Sequence, residues 1–238
     1  MSSSTFSAPY DRRRAAGLAS REDSRARLLR AADELFREQG YLATTVSAIA
    51  ERAGTSLQTL YLAWGSKSAL FRAGADAAAT ASGLPLTADA WHQAISERLT
   101  REAGADATTE RYLTAVAHVF VEVAARTAVY WAMQPGAASA DPEIAVGYTA
   151  SMNQRRITMD GVARATPADN LRRDLSPESI ADTVYSLASP EMFALFTRQA
   201  HRTAAEYEQW LSSTLISALT TELPAPQVEE QPRVTARE

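Results

Sequence analysis

Gln58, Thr59 and Tyr61 lie within a few residues of one another, and their side chains suit contact with a DNA duplex. A carboxamide such as Gln58 can bond adenine at two points, and Thr59 can bond a base edge or meet a thymine methyl. Ser56 and Leu57 belong to the same short segment. Tyr61, together with the helix-start amides marked by Thr44, Thr45 and Ser66, suits phosphate oxygens. Lys67 is the only lysine in the chain. A cation in a first helical turn opposes the helix dipole, and a nearby phosphate would account for it. Arg12, Arg13 and Arg14 could reach an adjacent minor groove as an N-terminal arm.

Such chemistry needs elements that present it. Leu28, Leu29, Ala32, Leu35 and Phe36 form an apolar stripe on a helix expected over residues 21–39, with Gly40 as its stop. Thr44 or Thr45 caps a second helix through Arg52, with Val46, Ile49, Ala50 and Ala53 on one face. Gly54 permits the turn that follows. Ser56 caps a short helix to residue 63, and Ser66 a longer one to residue 81. Packing of Ile49, Ala53, Leu57 and Leu60 would fix the angle between the second and third helices. This is the grammar of a helix-turn-helix, whose second helix enters the major groove.

Charge divides along the same line. Residues 1–80 hold 11 basic and 8 acidic side chains, a net of +3. Subtracting these from the chain totals of 24 and 28 leaves 13 basic and 20 acidic in the other 158 residues, a net of −7. One part can face phosphate and the other cannot. The chain has no cysteine, which removes disulfides and thiolate chemistry and fits a reducing cytoplasm, the expected location. No apolar run approaches the roughly 20 residues of a bilayer span, and the first ten residues lack the basic and apolar regions of a signal peptide.

Beyond Pro85 the reading is helical throughout. Asp141-Pro142-Glu143, Ser176-Pro177-Glu178 and Ser189-Pro190-Glu191 each supply a cap, a proline at the first helical position and an acid in the first turn. Helices are expected at about 88–102, 108–133, 142–164, 177–188, 190–199 and 203–221, with a loop over 134–140. The fold class is therefore all-α. Residues 20–72 form a DNA-binding domain and residues 73–223 a helical bundle, with tails at 1–19 and 224–238.

Residues 24–71 resemble the DNA-binding domain of the tetracycline-repressor (TetR) family of bacterial transcription regulators. The matching segments are Arg27-Leu-Leu-Arg-Ala-Ala-Asp-Glu-Leu-Phe36, Gly40-Tyr41, Thr44-Thr45-Val46, Ile49-Ala50-Glu51-Arg52-Ala53-Gly54, Thr59-Leu60-Tyr61 and Ser66-Lys67-Ser68-Ala69-Leu70-Phe71. A weaker likeness joins Asp182-Thr-Val-Tyr-Ser-Leu-Ala-Ser-Pro-Glu-Met-Phe193 and Tyr207-Glu-Gln-Trp-Leu211 to the C-terminal end of one TetR subgroup. The resemblance implies a homodimer on a near-palindromic double-stranded operator, with half-sites about 34–36 Å or somewhat more apart. It implies a small-molecule effector in the bundle, and repression as the usual outcome. The chain departs from the family where Leu57-Gln58 replaces a frequent Lys-Gly, and where Tyr61-Leu62-Ala63-Trp64 replaces Tyr-x-His-Phe. Ala63 offers no phosphate contact there, while Trp64 can serve as the core plug.

For a hydrophobic effector the bundle offers Trp91, Tyr112, Phe120, Tyr130, Trp131, Met133, Tyr148 and Met152 as pocket candidates. Leu113, Val116, Phe120 and Ala124 read as a core stripe. The apolar faces of the helices near 177–188 and 203–221, with Val184, Tyr185, Trp210, Leu211 and Leu215, are expected at the interface between two copies. No cofactor, metal site or catalytic residue is expected. Three histidines show no metal spacing, and the nucleophile-elbow, zinc-protease, P-loop and dinucleotide motifs are all absent. The alternative to a regulator is a helical ligand-binding or adaptor protein whose head no longer binds DNA; an enzyme is the least favoured class.

Overall fold

The computed structural model describes residues 8–80, 88–103 and 108–221. Within them the chain forms helices α1 (Ala8–Ala43), α2 (Val46–Arg52), α3 (Leu57–Trp64), α4 (Lys67–Thr80), α5 (Ala88–Ala103), α6 (Thr109–Ala140), α7 (Pro142–Arg164), α8 (Pro177–Leu187), α9 (Pro190–Ala194) and α10 (Ala204–Leu219), with no strand among the described residues. A π-helical turn over Leu195–Gln199 prolongs α9.

The expected caps form. Thr45 accepts from the amide of Ala48, Ser56 from Thr59, Ser66 from Ala69, Asp141 from Glu143, Ser176 from Ser179 and Ser189 from Met192. Thr203 and Glu206 close a reciprocal capping box at α10. Gly40 breaks the helical path near the end of α1 with φ 82°, in the left-handed region that glycine adopts without a steric cost.

Two boundaries differ from expectation. The helical backbone of α1 begins at Ala8, so residues 8–19, expected as tail, continue the first helix. The Arg12–Arg14 side chains, residues 1–7 and the tail at 224–238 lie outside the described residues. Helix α6 runs to Ala140, through Pro135 and the expected loop. A proline inside a helix removes one donor and crowds the preceding turn. Tertiary packing outweighs that cost here, because Ala137, beyond the proline, is fully buried against the N-terminal core.

Two apolar cores result. The first joins Leu28, Leu35 and Phe36 of α1, Ile49 of α2, Leu60 of α3 and Leu70 and Phe71 of α4. Tyr130 and Ala137 of α6 and Ile144 of α7 complete it. The N-terminal domain is thus closed by helices of the bundle. The second core surrounds α6, against which the Tyr207, Leu211, Leu215 and Leu219 row of α10 packs, as do α5, α7 and α9, while α8 packs on α7 and α10. Helix α6 is long and apolar enough by length and composition to cross a membrane, but 67% of its most apolar stretch is buried inside the protein.

The second core corrects the expected interface between copies. Val184, Leu211 and Leu215 are fully buried within one chain. Trp210 stacks on Phe196 at 4.5 Å, and Tyr185 lies beneath the Arg155 guanidinium at 3.9 Å. The inward rows of α8 and α10 are thus taken up within the chain, while Tyr185 and Trp210 stay partly exposed.

Candidate nucleic-acid interface

Helices α2 and α3 meet around Gly54, whose φ of 62° turns the chain. The turn is held by the Gly54 amide donating to the Glu51 carbonyl at 3.0 Å and the Thr55 amide donating to Ala50 at 2.9 Å. Ile49, Ala53 and Leu60 are buried between the helices as expected. Leu57 is not: it is 41% exposed, and α3 is anchored by Leu60 without it. With Leu60 inward, Leu57, Gln58, Tyr61 and Leu62 share one outward face, where Tyr61 is 52% and Leu62 82% exposed. Positions i, i+1, i+4 and i+5 make one such stripe on an α-helix.

The side chains beside this face are already engaged. The hydroxyls of Ser56 and Thr59 bond each other at 2.9 Å, while Ser56 caps α3. Thr45 is exposed at the start of α2. Thr44, expected at the DNA surface, is buried. Its hydroxyl donates to the Gly40 carbonyl at 2.8 Å and so holds the break in α1. Lys67 is likewise engaged within the protein. Its ammonium donates to the carbonyls of Tyr41 and Thr44 at 2.9 Å each and lies 4.1 Å over the Tyr41 ring. These carbonyls follow a broken helix end and have no helical partner, so the lone lysine supplies donors there. Burial lowers its pKa, partly opposed by the charge of Asp141.

Trp64 packs against the first core, as a plug should, and its indole donates to the Arg25 carbonyl at 3.2 Å. The Arg25 guanidinium stacks on that indole at 3.6 Å and donates to the Ala63 carbonyl. Sequence reasoning missed this clasp, which ties the end of α3 to α1; residues so far apart along the chain carry no local signal. Arg52 adds a second tie through Glu34 and Glu38 at 3.3 and 3.0 Å. These carboxylates are exposed, so the pair orients more than it stabilises.

Behind the reading head, hydrogen bonds join it to the bundle. Tyr130 of α6 donates to Asp33 of α1 at 2.5 Å, and Tyr41 donates to Asp141, between α6 and α7, at 2.7 Å. Ser68 of α4 donates to Glu143 at 2.7 Å. Burial and the neighbouring carboxylate both raise the pKa of each tyrosine. Gly74 lets Tyr130 through: a Cβ there would stand 2.1 Å from the phenol oxygen.

The pocket candidates separate. Trp91, Phe120 and Trp131 line a cavity of about 130 Å³ between α5, α6 and α7, with Val123, Arg155 and Met159. Tyr130 and Met133 belong to the first core instead, and the buried Tyr112 donates to the Val162 carbonyl at 2.9 Å in the second. Tyr148 lines a separate groove beside Arg72 and Gln134; Met152 lines neither space. An α-helix turns adjacent residues to different faces, which is why Tyr130 and Trp131 part company. Among the described residues Arg155 carries the only charge on the cavity lining, and an arginine by itself carries no pocket signal in the sequence.

Residues 28–73 match the family described as bacterial regulatory proteins, tetR family. No curated protein matches the chain. Among solved structures, the fold is similar to NalD, the secondary repressor of the MexAB-OprM multidrug efflux pump in Pseudomonas aeruginosa. That likeness has 14% identity and a TM-score of 0.60, and covers 85% of this chain and 98% of that one. A SmeT–triclosan complex is similar at 17% identity and TM-score 0.58, covering 88% and 99%. A transcriptional regulator of the TetR/AcrR group from Aquifex aeolicus VF5 is similar at 18% identity and TM-score 0.55, covering 82% and 99%.

Proposed function

We propose that this chain, a TetR-family protein by its N-terminal domain, is a one-component transcription regulator of the cytoplasm. It binds a near-palindromic operator as a homodimer and represses until a small hydrophobic effector releases it. The observation that carries this reading is the outward face of α3. Leu57, Gln58, Tyr61 and Leu62 project from a short helix that is capped at Ser56, anchored by Leu60 and clasped by Arg25. A large apolar residue as exposed as Leu62 has no folding role. On a major-groove helix it can meet a thymine methyl, as can Leu57, while Gln58 bonds adenine. Tyr61 can donate to a phosphate.

The cavity between α5, α6 and α7 supports the effector half of the reading, as does the likeness of the fold to a repressor and to a protein in complex with triclosan. Release requires the effector to favour a DNA-incompetent arrangement by a coupling of about 1–3 kcal/mol. An operator selection with the purified full chain, followed by a salt titration, tests the regulator. Specific duplex should be recovered, with log K falling linearly as log salt rises. Failure to enrich any sequence would overturn the regulator and favour the adaptor alternative.

A further inference from the structure

The cavity described above is built mostly of apolar walls, from Trp91, Phe120, Val123, Trp131 and Met159. Its volume of about 130 Å³ sets the size of what fits. An apolar cavity of about 150 Å³ takes benzene, so the space admits at most a single ring.

Among the described residues, two buried donors on the cavity lining lack acceptors. The indole Nε1 of Trp91 has no hydrogen-bond partner, although the residue is only 4% exposed. Nε of Arg155 is also buried without a partner. The far end of the same guanidinium donates through Nη2 to the Ala188 carbonyl at 3.0 Å and to the Tyr185 carbonyl, at the C-terminal end of α8. Among the described residues no carboxylate lies within ion-pair distance of Arg155. Glu191 is near enough to favour its charged form but does not line the cavity. Burial is the larger influence and lowers the Arg155 pKa, the sign of a cation without an adequate counter-charge. Buried donors in native proteins are nearly always satisfied. An apolar hole bordered by an unpaired cation and an orphaned indole N–H is therefore incomplete without an anionic acceptor.

We infer that the cavity binds a small aromatic carboxylate, with its ring among Phe120, Trp131 and Met159 and its carboxylate accepting from Arg155 and Trp91. The inference rests on the reading of the bundle as a sensor and narrows the effector from hydrophobic to amphiphilic and anionic.

Calorimetric titration of the full chain with benzoate, with its neutral isostere benzamide and with benzene tests the assignment. Benzoate should bind about tenfold or more tightly than benzamide, since a charge-assisted pair replaces a neutral one. Arg155→Gln should abolish that preference while leaving benzamide within about twofold. Because Arg155 also holds the end of α8, a second variant is required. Trp91→Phe removes the N–H and keeps a smaller aromatic side chain in the wall, and should lower the benzoate-to-benzamide ratio several-fold. Equal affinity for benzoate and benzamide in the unmodified protein, or a preference that persists in both variants, would overturn the carboxylate assignment. Benzene or benzamide binding without preference would still leave the cavity a ligand site. If none of the three binds, this inference fails, while the operator selection separately decides the regulator.

Discussion

Lys67 and Tyr41 act together at the end of α1. The ammonium collects two carbonyls left by the Gly40 break, and the phenol beneath it donates to Asp141. Asp141 is held below the usual carboxylate range, chiefly by that hydrogen bond and also by the amides of Glu143 and Ile144. A depressed carboxylate pKa contributes stability that is present above its unfolded value and lost as pH falls through the folded one. The joint should therefore weaken in acid, below about pH 4. Tyr41→Phe should cost about 1 kcal/mol at neutral pH, measured by urea unfolding, and should raise the Asp141 titration seen by NMR. A mutant whose Asp141 titrates as in the unmodified protein would refute the link. Gly74→Ala should be harsher, about 1–3 kcal/mol, because Tyr130 is wedged against Phe71 at 5.3 Å and must yield its bond to Asp33.

At the scale of elements, α3 separates anchoring from reading. Leu60 and Trp64 face inward, whereas Gln58 and Leu62 face out. Gln58→Ala should thus relax preference at a single operator position, at about 1–3 kcal/mol, without moving the thermal midpoint. An unchanged selected operator would show that Gln58 does not read a base. Lys67→Ala belongs to the other class. It should lower thermal stability, and it should weaken all duplexes alike only through the displaced start of α2. Helix α6 has a third role. Its successive residues Tyr130 and Trp131 touch the head and the cavity respectively, so a single rigid rod borders both sites.

That rod joins the N-terminal helices to the bundle. Tyr130 and Tyr41 tie the head to the bundle through Asp33 and Asp141, and Phe71 and Ile144 lie in one shared core. Coupling between two sites requires an element whose position both can bias. Tyr130→Phe should retain the fold and operator binding but reduce the effector-induced change in DNA affinity, measured as the ratio of operator Kd with and without effector. An unaltered ratio would place the coupling elsewhere. The charge division acts at the same scale. On the proposed function the basic head would meet phosphate and the acidic remainder would repel it, so affinity should be strongly salt-dependent, and a pair of heads should steepen that dependence relative to one.

The helices, their caps and the helix-turn-helix were legible in the sequence because each rests on local chemistry. A serine, threonine or aspartate before a first turn, a glycine at positive φ and an apolar stripe at helical spacing act over a few residues. The exposed positions of Gln58 and Tyr61 followed from that spacing too. Tertiary structure alone decided which carbonyls would need Lys67, that Thr44 would be inside, and that Val184, Leu211 and Leu215 would be buried within one chain rather than between two. It carried α6 through Pro135, and it turned Tyr130 to the head while leaving Trp131 and Arg155 at the cavity. Each of these depends on partners far along the chain, and the burial that settles them exists only after the helices have packed.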